Sequence, residues 1–197
     1  MPNHCFNQVT IQSSQEDIEK IIEYLRSEKT MFDFNNLVPM PELMKDLHSV
    51  HSDGKQYFYS VSKWRNSLNG NDPNPSFPSM DWINKNGVDD FTIRRLTTDY
   101  GTADWYDWSC TNWGTKWNAY DVEYFVGPIP NATSIINGRQ VTYTLTTAWA
   151  EPRPVIRALC AYLSQPGFDQ NLEMKWRFDD KMENYAGEIS NRDNEPL

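Results

Sequence analysis

Cysteine is scarce in this chain of 197 residues: Cys5, Cys110 and Cys160 stand far apart. An odd, scattered set excludes a disulfide framework and a zinc knuckle, and a reducing cytoplasm is its natural setting. Basic side chains are also few, 18 Lys and Arg against 27 Asp and Glu, for a net charge of -9. Gripping a phosphate backbone needs a basic footprint, so no direct nucleic-acid partner is expected. No apolar run approaches the roughly 18 residues that cross a bilayer, and no membrane partner is expected. The start, Met1-Pro2-Asn3-His4, lacks a basic stretch followed by an apolar one, so no secretory signal is expected either. Aromatics, in contrast, are plentiful, with 9 Phe, 8 Trp and 10 Tyr. Disordered acidic chains are poor in aromatics, so the composition describes an acidic globular protein.

The first and last parts of the chain share one grammar. Cys5, Asn7, Val9 and Ile11 alternate with Phe6, Gln8 and Thr10, which predicts a strand over 4–11. Ser14 and Asp17 have capping-box spacing, and Ile18, Ile21, Ile22 and Leu25 form one helical stripe, predicting a helix over 15–27. A short strand is expected over 31–36, stopped by Pro39 and Pro41. Near the other end, Val141, Tyr143, Leu145, Thr147 and Trp149 alternate with Thr142, Thr144, Thr146 and Ala148, predicting a strand over 141–149. Pro152 and Pro154 open a helix over 153–164 that carries Val155, Ile156, Leu159, Tyr162 and Leu163. Leu172, Met174, Trp176 and Phe178 then alternate with charged residues in a half-buried strand over 170–178, followed by another near 182–189. Two strand-helix-strand units sharing one sheet, both helices on one face, give an α+β, ferredoxin-like sandwich. The chain is expected to be a single domain. Its core comes from residues 1–40 and 139–190, with an insertion at 41–138 and a frayed tail at 191–197. The insertion is read as a loop at 69–75, short helices near 91–100 and 104–111, and a strand at 120–126 that joins the sheet.

Several segments resemble the YubB-like family of plasmid- and phage-encoded proteins. They are the opening Met-Pro-Asn-His-Cys-Phe-Asn, Phe32-Asp33-Phe34-Asn35 running to Pro39-Met40-Pro41-Glu42, Asn112-Trp113-Gly114-Thr115-Lys116-Trp117-Asn118-Ala119, Thr147-Ala148-Trp149 with Pro152, and Tyr185-Ala186-Gly187. The resemblance spans nearly the whole chain apart from 50–89. It implies a ferredoxin-like C-terminal domain and a mobile-element accessory protein in a bacterial cytoplasm. It implies no particular chemistry.

The candidate ligand-binding residues are Trp113, Thr115, Lys116, Trp117, Trp149, Asn3 and Asn7. Indole faces at 113 and 117 can stack on a base. Lys116 and the Thr115 hydroxyl can hold phosphate oxygens, and Gly114 permits close backbone approach. The same block also reads as a turn whose tryptophans plug the core. Trp149 lies where a strand ends and a helix starts, a place that suits an anion but equally suits core packing. His48 and His51, three apart on an expected helix, read as a solvated face rather than metal ligands. Asp104, Asp107 and Glu123 form no compelling acid–base pair, Cys160 reads as core, and Arg94-Arg95 as a solvated face. With no nucleophile–base pair, catalytic residue or cofactor motif to name, the expectation is a non-enzymatic protein. It would bind and sequester a small nucleotide-derived molecule as a counter-defence device. The alternative is a protein–protein inhibitor, or acidic DNA mimic, aimed at a host defence or DNA-processing protein. Self-association is the remaining partner expectation.

Overall fold

A computed structural model describes residues 3–68, 77–129, 138–180 and 185–191. The expected loop at 69–75 and the tail from 192 lie outside the described residues. The chain divides into two compact units, one of residues 1–39 and 109–197 and the other of 40–108. The expected insertion therefore includes a stretch, 109–138, that clusters with the first unit.

The first unit is built on a five-stranded antiparallel sheet. Its strands are β1 (His4–Ser14), β4 (Tyr120–Pro128), β5 (Gly138–Ala148), β6 (Glu173–Asp180) and β7 (Tyr185–Ser190), in the order β4-β5-β1-β6-β7. The register sets Val9 opposite Tyr143 on one side and Trp176 on the other. One face therefore collects Cys5, Val9, Ile11, Tyr143, Leu145, Met174 and Trp176, each at most 2% exposed. The expected alternation in the sixth strand is present: Met174, Trp176 and Phe178 are buried while Lys175 and Arg177 are exposed.

Helices α1 (Gln15–Leu25) and α8 (Arg153–Leu163) cover that face. They lie side by side, with the Tyr24 and Tyr162 rings stacked at 3.9 Å and 9°. Ser14 caps α1 by accepting the Asp17 N–H at 3.2 Å. The Asp17 carboxylate does not reach back to close a capping box. It accepts the Ser13 hydroxyl at 2.7 Å and the Asp169 N–H at 3.0 Å, tying α1 to the loop before β6.

The strand expected over 31–36 is absent. Asp33 accepts the Asn35 N–H at 2.9 Å and so starts a one-turn helix, α2 (Phe34–Leu37). Phe32 and Phe34 mimic strand periodicity, but both are fully buried plugs that meet edge to face. Phe32 also packs edge-on against Tyr143 and Trp176. On the sheet, β4 holds the edge beside β5.

The second unit begins with α3 (Glu42–Lys45) and a hairpin of β2 (Leu47–Ser52) and β3 (Lys55–Ser60). The hairpin turns at Asp53-Gly54, both at positive φ, as a two-residue connection of its hand requires. Helices α4 (Val61–Ser67), α5 (Met80–Asn86) and α6 (Asp90–Tyr100) follow, and α7 (Trp105–Asn112) supplies residues to both units. Tyr59, Trp64 and Ile83 form one buried cluster of this unit. His48 and His51 sit on β2, not on a helix, so helical spacing does not join them as ligands.

Candidate functional site

Two loops meet at one end of the sheet, and both carry candidate residues. One runs from Asn112 to Asn118 and the other from Ala148 to Pro154. Gly114 takes φ +77, and a Cβ there would stand 2.9 Å from Pro154 Cδ, so the first loop approaches the second closely only as glycine. Thr115 is 1% exposed. Its hydroxyl donates to the Ala148 carbonyl at 2.7 Å and accepts the Ala148 N–H at 3.0 Å, stapling the loop to the end of β5. Ser109 donates to the Lys116 carbonyl at 2.6 Å. Asn118 accepts the Phe34 N–H at 3.0 Å and donates to Asp33 at 2.7 Å. Hydrogen bonds thus fix the loop at both ends.

This construction separates the seven candidate residues. Trp113 is 4% exposed, donates its Nε1–H to the Val38 carbonyl at 2.8 Å and packs edge-on against Phe34. It is a core plug, and Thr115 is a staple; neither presents its side chain to a ligand. Asn7 is buried too. It donates to the Cys5 carbonyl and the Thr147 hydroxyl, both at 3.0 Å, and accepts the Trp176 indole N–H at 3.0 Å. Asn3 donates to Asp180 at 3.0 Å, and its carbonyl receives the Trp149 N–H at 2.9 Å.

Lys116, Trp117 and Trp149 remain at the surface, brought together from two distant parts of the chain. The Lys116 ammonium stands 4.6 Å from the Trp117 ring centre and 5.5 Å from that of Trp149. These are cation–π distances. Trp149 has φ +76, a left-handed conformation that a bulky side chain adopts only under constraint. The constraint is visible on both sides: Ala148 is held by Thr115, and Thr147 donates to the Ala150 carbonyl at 2.7 Å. The bend turns the indole out of the β5 alternation, to 37% exposure.

Sequence reasoning missed two further members. Tyr120 meets Trp117 edge-on at 6.5 Å, and its hydroxyl bonds His4 Nδ1. Only the sheet register, which pairs His4 with Ala148 and Tyr120 with Thr146, brings them here. The second omission lies beneath the loops. Glu151, 8% exposed, accepts the Arg153 Nε–H at 2.6 Å, and Arg153 reaches on to the Tyr185 hydroxyl at 2.7 Å. Pro152 and Pro154 signalled a helix start there, but nothing in the spacing signalled an ion pair.

The electrostatics bear on Cys5 first. Burial pushes the Cys5 thiol up to about 11, helped by the Glu151 and Asp180 carboxylates, so it stays protonated at neutral pH. Burial also raises the Tyr120 phenol, helped by Asp121. Among the described residues, no group of three or more His, Cys, Asp or Glu side chains is placed to hold a metal ion. Asp104 is engaged by Ser49 at 2.7 Å and by the Tyr106 N–H at 2.8 Å. It belongs to the second unit, whereas Glu123 belongs to the first. No helix among the described residues is long and apolar enough to cross a membrane.

Compared with family models, curated proteins and solved structures, the chain matches none.

Proposed function

We propose that this is a non-enzymatic accessory protein of a mobile element that binds and sequesters a small nucleotide-derived molecule at Lys116, Trp117 and Trp149. The observation that carries the reading is the Lys116 ammonium held between two part-exposed indoles on a pinned loop pair. A base stacking on the outer face of either indole contributes about 1–3 kcal/mol. The ammonium adds a charge-assisted contact to a phosphate, about 1.5–3 kcal/mol. The loops are ordered by hydrogen bonds before any ligand arrives, which limits the ordering entropy that binding costs. As a finer account of the fold, we read β1-α1-β4 and β5-α8-β6 as the two halves of a ferredoxin-like sandwich, with β7 as an added edge. The strand order β4-β5-β1-β6 supports that account.

The test is depletion and recovery. The protein is incubated with a panel of cyclic and ADP-ribose-type nucleotides, removed by filtration, then heat-denatured. Sequestration expects one nucleotide to be depleted and then recovered chemically intact, and Lys116→Ala to lose roughly tenfold or more in affinity. A chemically altered nucleotide would mean catalysis. No depletion, with capture of a host protein, would favour the inhibitor reading. That second reading is supported by the carboxylates Asp121, Glu123 and Asp179, which line one cleft beside Phe6 and Gln8 of β1.

A further inference from the structure

The sheet face away from α1 and α8 carries a groove whose lining includes none of Lys116, Trp117 and Trp149. Its floor follows the central strand through Phe6, Gln8, Thr10 and Gln12. Two clefts, of about 360 and 480 Å³, lie along this line and adjoin at Gln8 and Arg177, which line both. From Phe6 to Gln12 the floor runs about 20 Å at the ordinary rise of a strand. That length suits an extended segment of about six residues rather than a compact small molecule.

The walls follow from the register. Gln8 faces Thr144 on one side and Arg177 on the other, while Thr10 lies between Thr142 and Lys175. Glu123 stands beyond Thr144, and Glu188 beyond Arg177. The Gln12 end of the groove is set in advance. Gln12 donates to Gln140 at 2.7 Å, and Gln140 donates to Thr142 at 3.1 Å. Phe6 is 49% exposed at one end, an apolar platform among polar groups. The groove is acidic at its Phe6 end, where Asp121, Glu123 and Asp179 line the cleft beside Arg177. Toward Gln12, Glu173 stands with Lys175 and Arg177, and both of these cations pair with Glu188 on the neighbouring strand. A phosphate chain is repelled by such a lining. An extended polypeptide bearing basic side chains is matched by it: carboxylates take the cations, Gln and Thr take backbone amides and carbonyls, and Phe6 takes the aliphatic stem of a Lys or Arg.

We propose that the groove over β1, from Phe6 to Gln12, docks an extended basic segment of a partner polypeptide.

The experiment titrates the full chain into a fluorescein-labelled eight-residue peptide of alternating lysine and serine, with anisotropy as the readout. An alternating glutamate–serine peptide and an eight-nucleotide oligothymidine run in parallel. The expected result is saturable binding of the basic peptide alone, weakened about tenfold or more in a Phe6→Ala, Glu123→Gln double variant. A Glu16→Gln, Glu19→Gln variant removes two acidic charges from α1 instead and is expected to bind within about twofold of the parent. Amide chemical-shift changes in the unmodified protein should centre on Gln8, Thr10, Thr144 and Arg177, a readout that needs no variant to fold. Equal weakening by the α1 variant would reduce the effect to general attraction and overturn the proposal. So would shifts centred on Lys116 and Trp117, tighter binding of the oligonucleotide, or no binding at all. Nucleotide depletion is scored separately on Lys116→Ala, so failure here leaves the loop-pair reading standing, and the reverse.

Discussion

Trp149 shows how one residue can be placed against its own conformational preference. Its positive φ costs on the order of 1–3 kcal/mol in a non-glycine residue. Trp149→Gly keeps that backbone available without the strain. We expect urea unfolding to show unchanged or slightly higher stability while nucleotide depletion is lost. A large fall in stability would make the indole a structural element instead. Trp176 is the opposite case, fully buried and donating to Asn7. Trp176→Ala should cost about 3–5 kcal/mol in the same measurement, and a change within about 0.5 kcal/mol would deny it a core role. Asp17 carries the clearest pH signature. Burial alone would raise its pKa, but hydrogen bonds from Ser13, the Asp169 N–H and Ser14 hold it below the usual carboxylate value. A depressed folded pKa stabilises the fold above the unfolded value near 3.9, and that contribution is lost as pH falls through the folded value. Asp17→Asn should therefore be less stable at neutral pH and should lose stability less steeply on acidification below pH ~4.

At the scale of elements, the loop pair depends on Gly114. Gly114→Ala puts a Cβ against Pro154 at a left-handed position. It should cost about 1–2 kcal/mol, and thermal unfolding should show it. Trp117 and Trp149 emission should also change as the loops part. Which elements were legible in the sequence follows from the range of the forces that make them. Period-two alternation in β1, β5 and β6, and the apolar stripes of α1 and α8, are local signals, and each of these elements is present. Phe32 and Phe34 gave the same alternation without a strand, because the Asp33 cap and the pull of the core on both rings overrode it. Within the site, the two blocks were visible, but their sorting was not. Trp113 is a plug because of a carbonyl 75 positions earlier in the chain, whereas Trp117 stays at the surface. His4 and Tyr120 join only through strand register, which no local pattern encodes.

For the whole molecule, the organising fact is that the first strand occupies the middle of the sheet. β1 pairs with β5 from His4↔Ala148 and with β6 from Cys5↔Asp180. A chain ended at Gln170 lacks β6 and β7 and leaves one long edge of β1 unpaired, with Val9 and Ile11 deprived of Trp176 and Met174. Such a chain should bind a hydrophobic dye and lose the cooperative unfolding transition of the full protein. A sharp transition in the truncated chain would show that the core closes without its last strands.

That central position also sets a timetable for synthesis. β1 leaves the ribosome before the other strands of its sheet, with its apolar face complete, and waits for partners made more than a hundred residues later. Helix α1 can shelter one side of it in the meantime, but neither edge can close until the C-terminal strands emerge. Pairings this distant in sequence fold slowly, and the waiting strand edge is what chaperones protect during translation. The half-made protein is therefore the sticky form, and slower synthesis over residues 138–180 would lengthen its exposure.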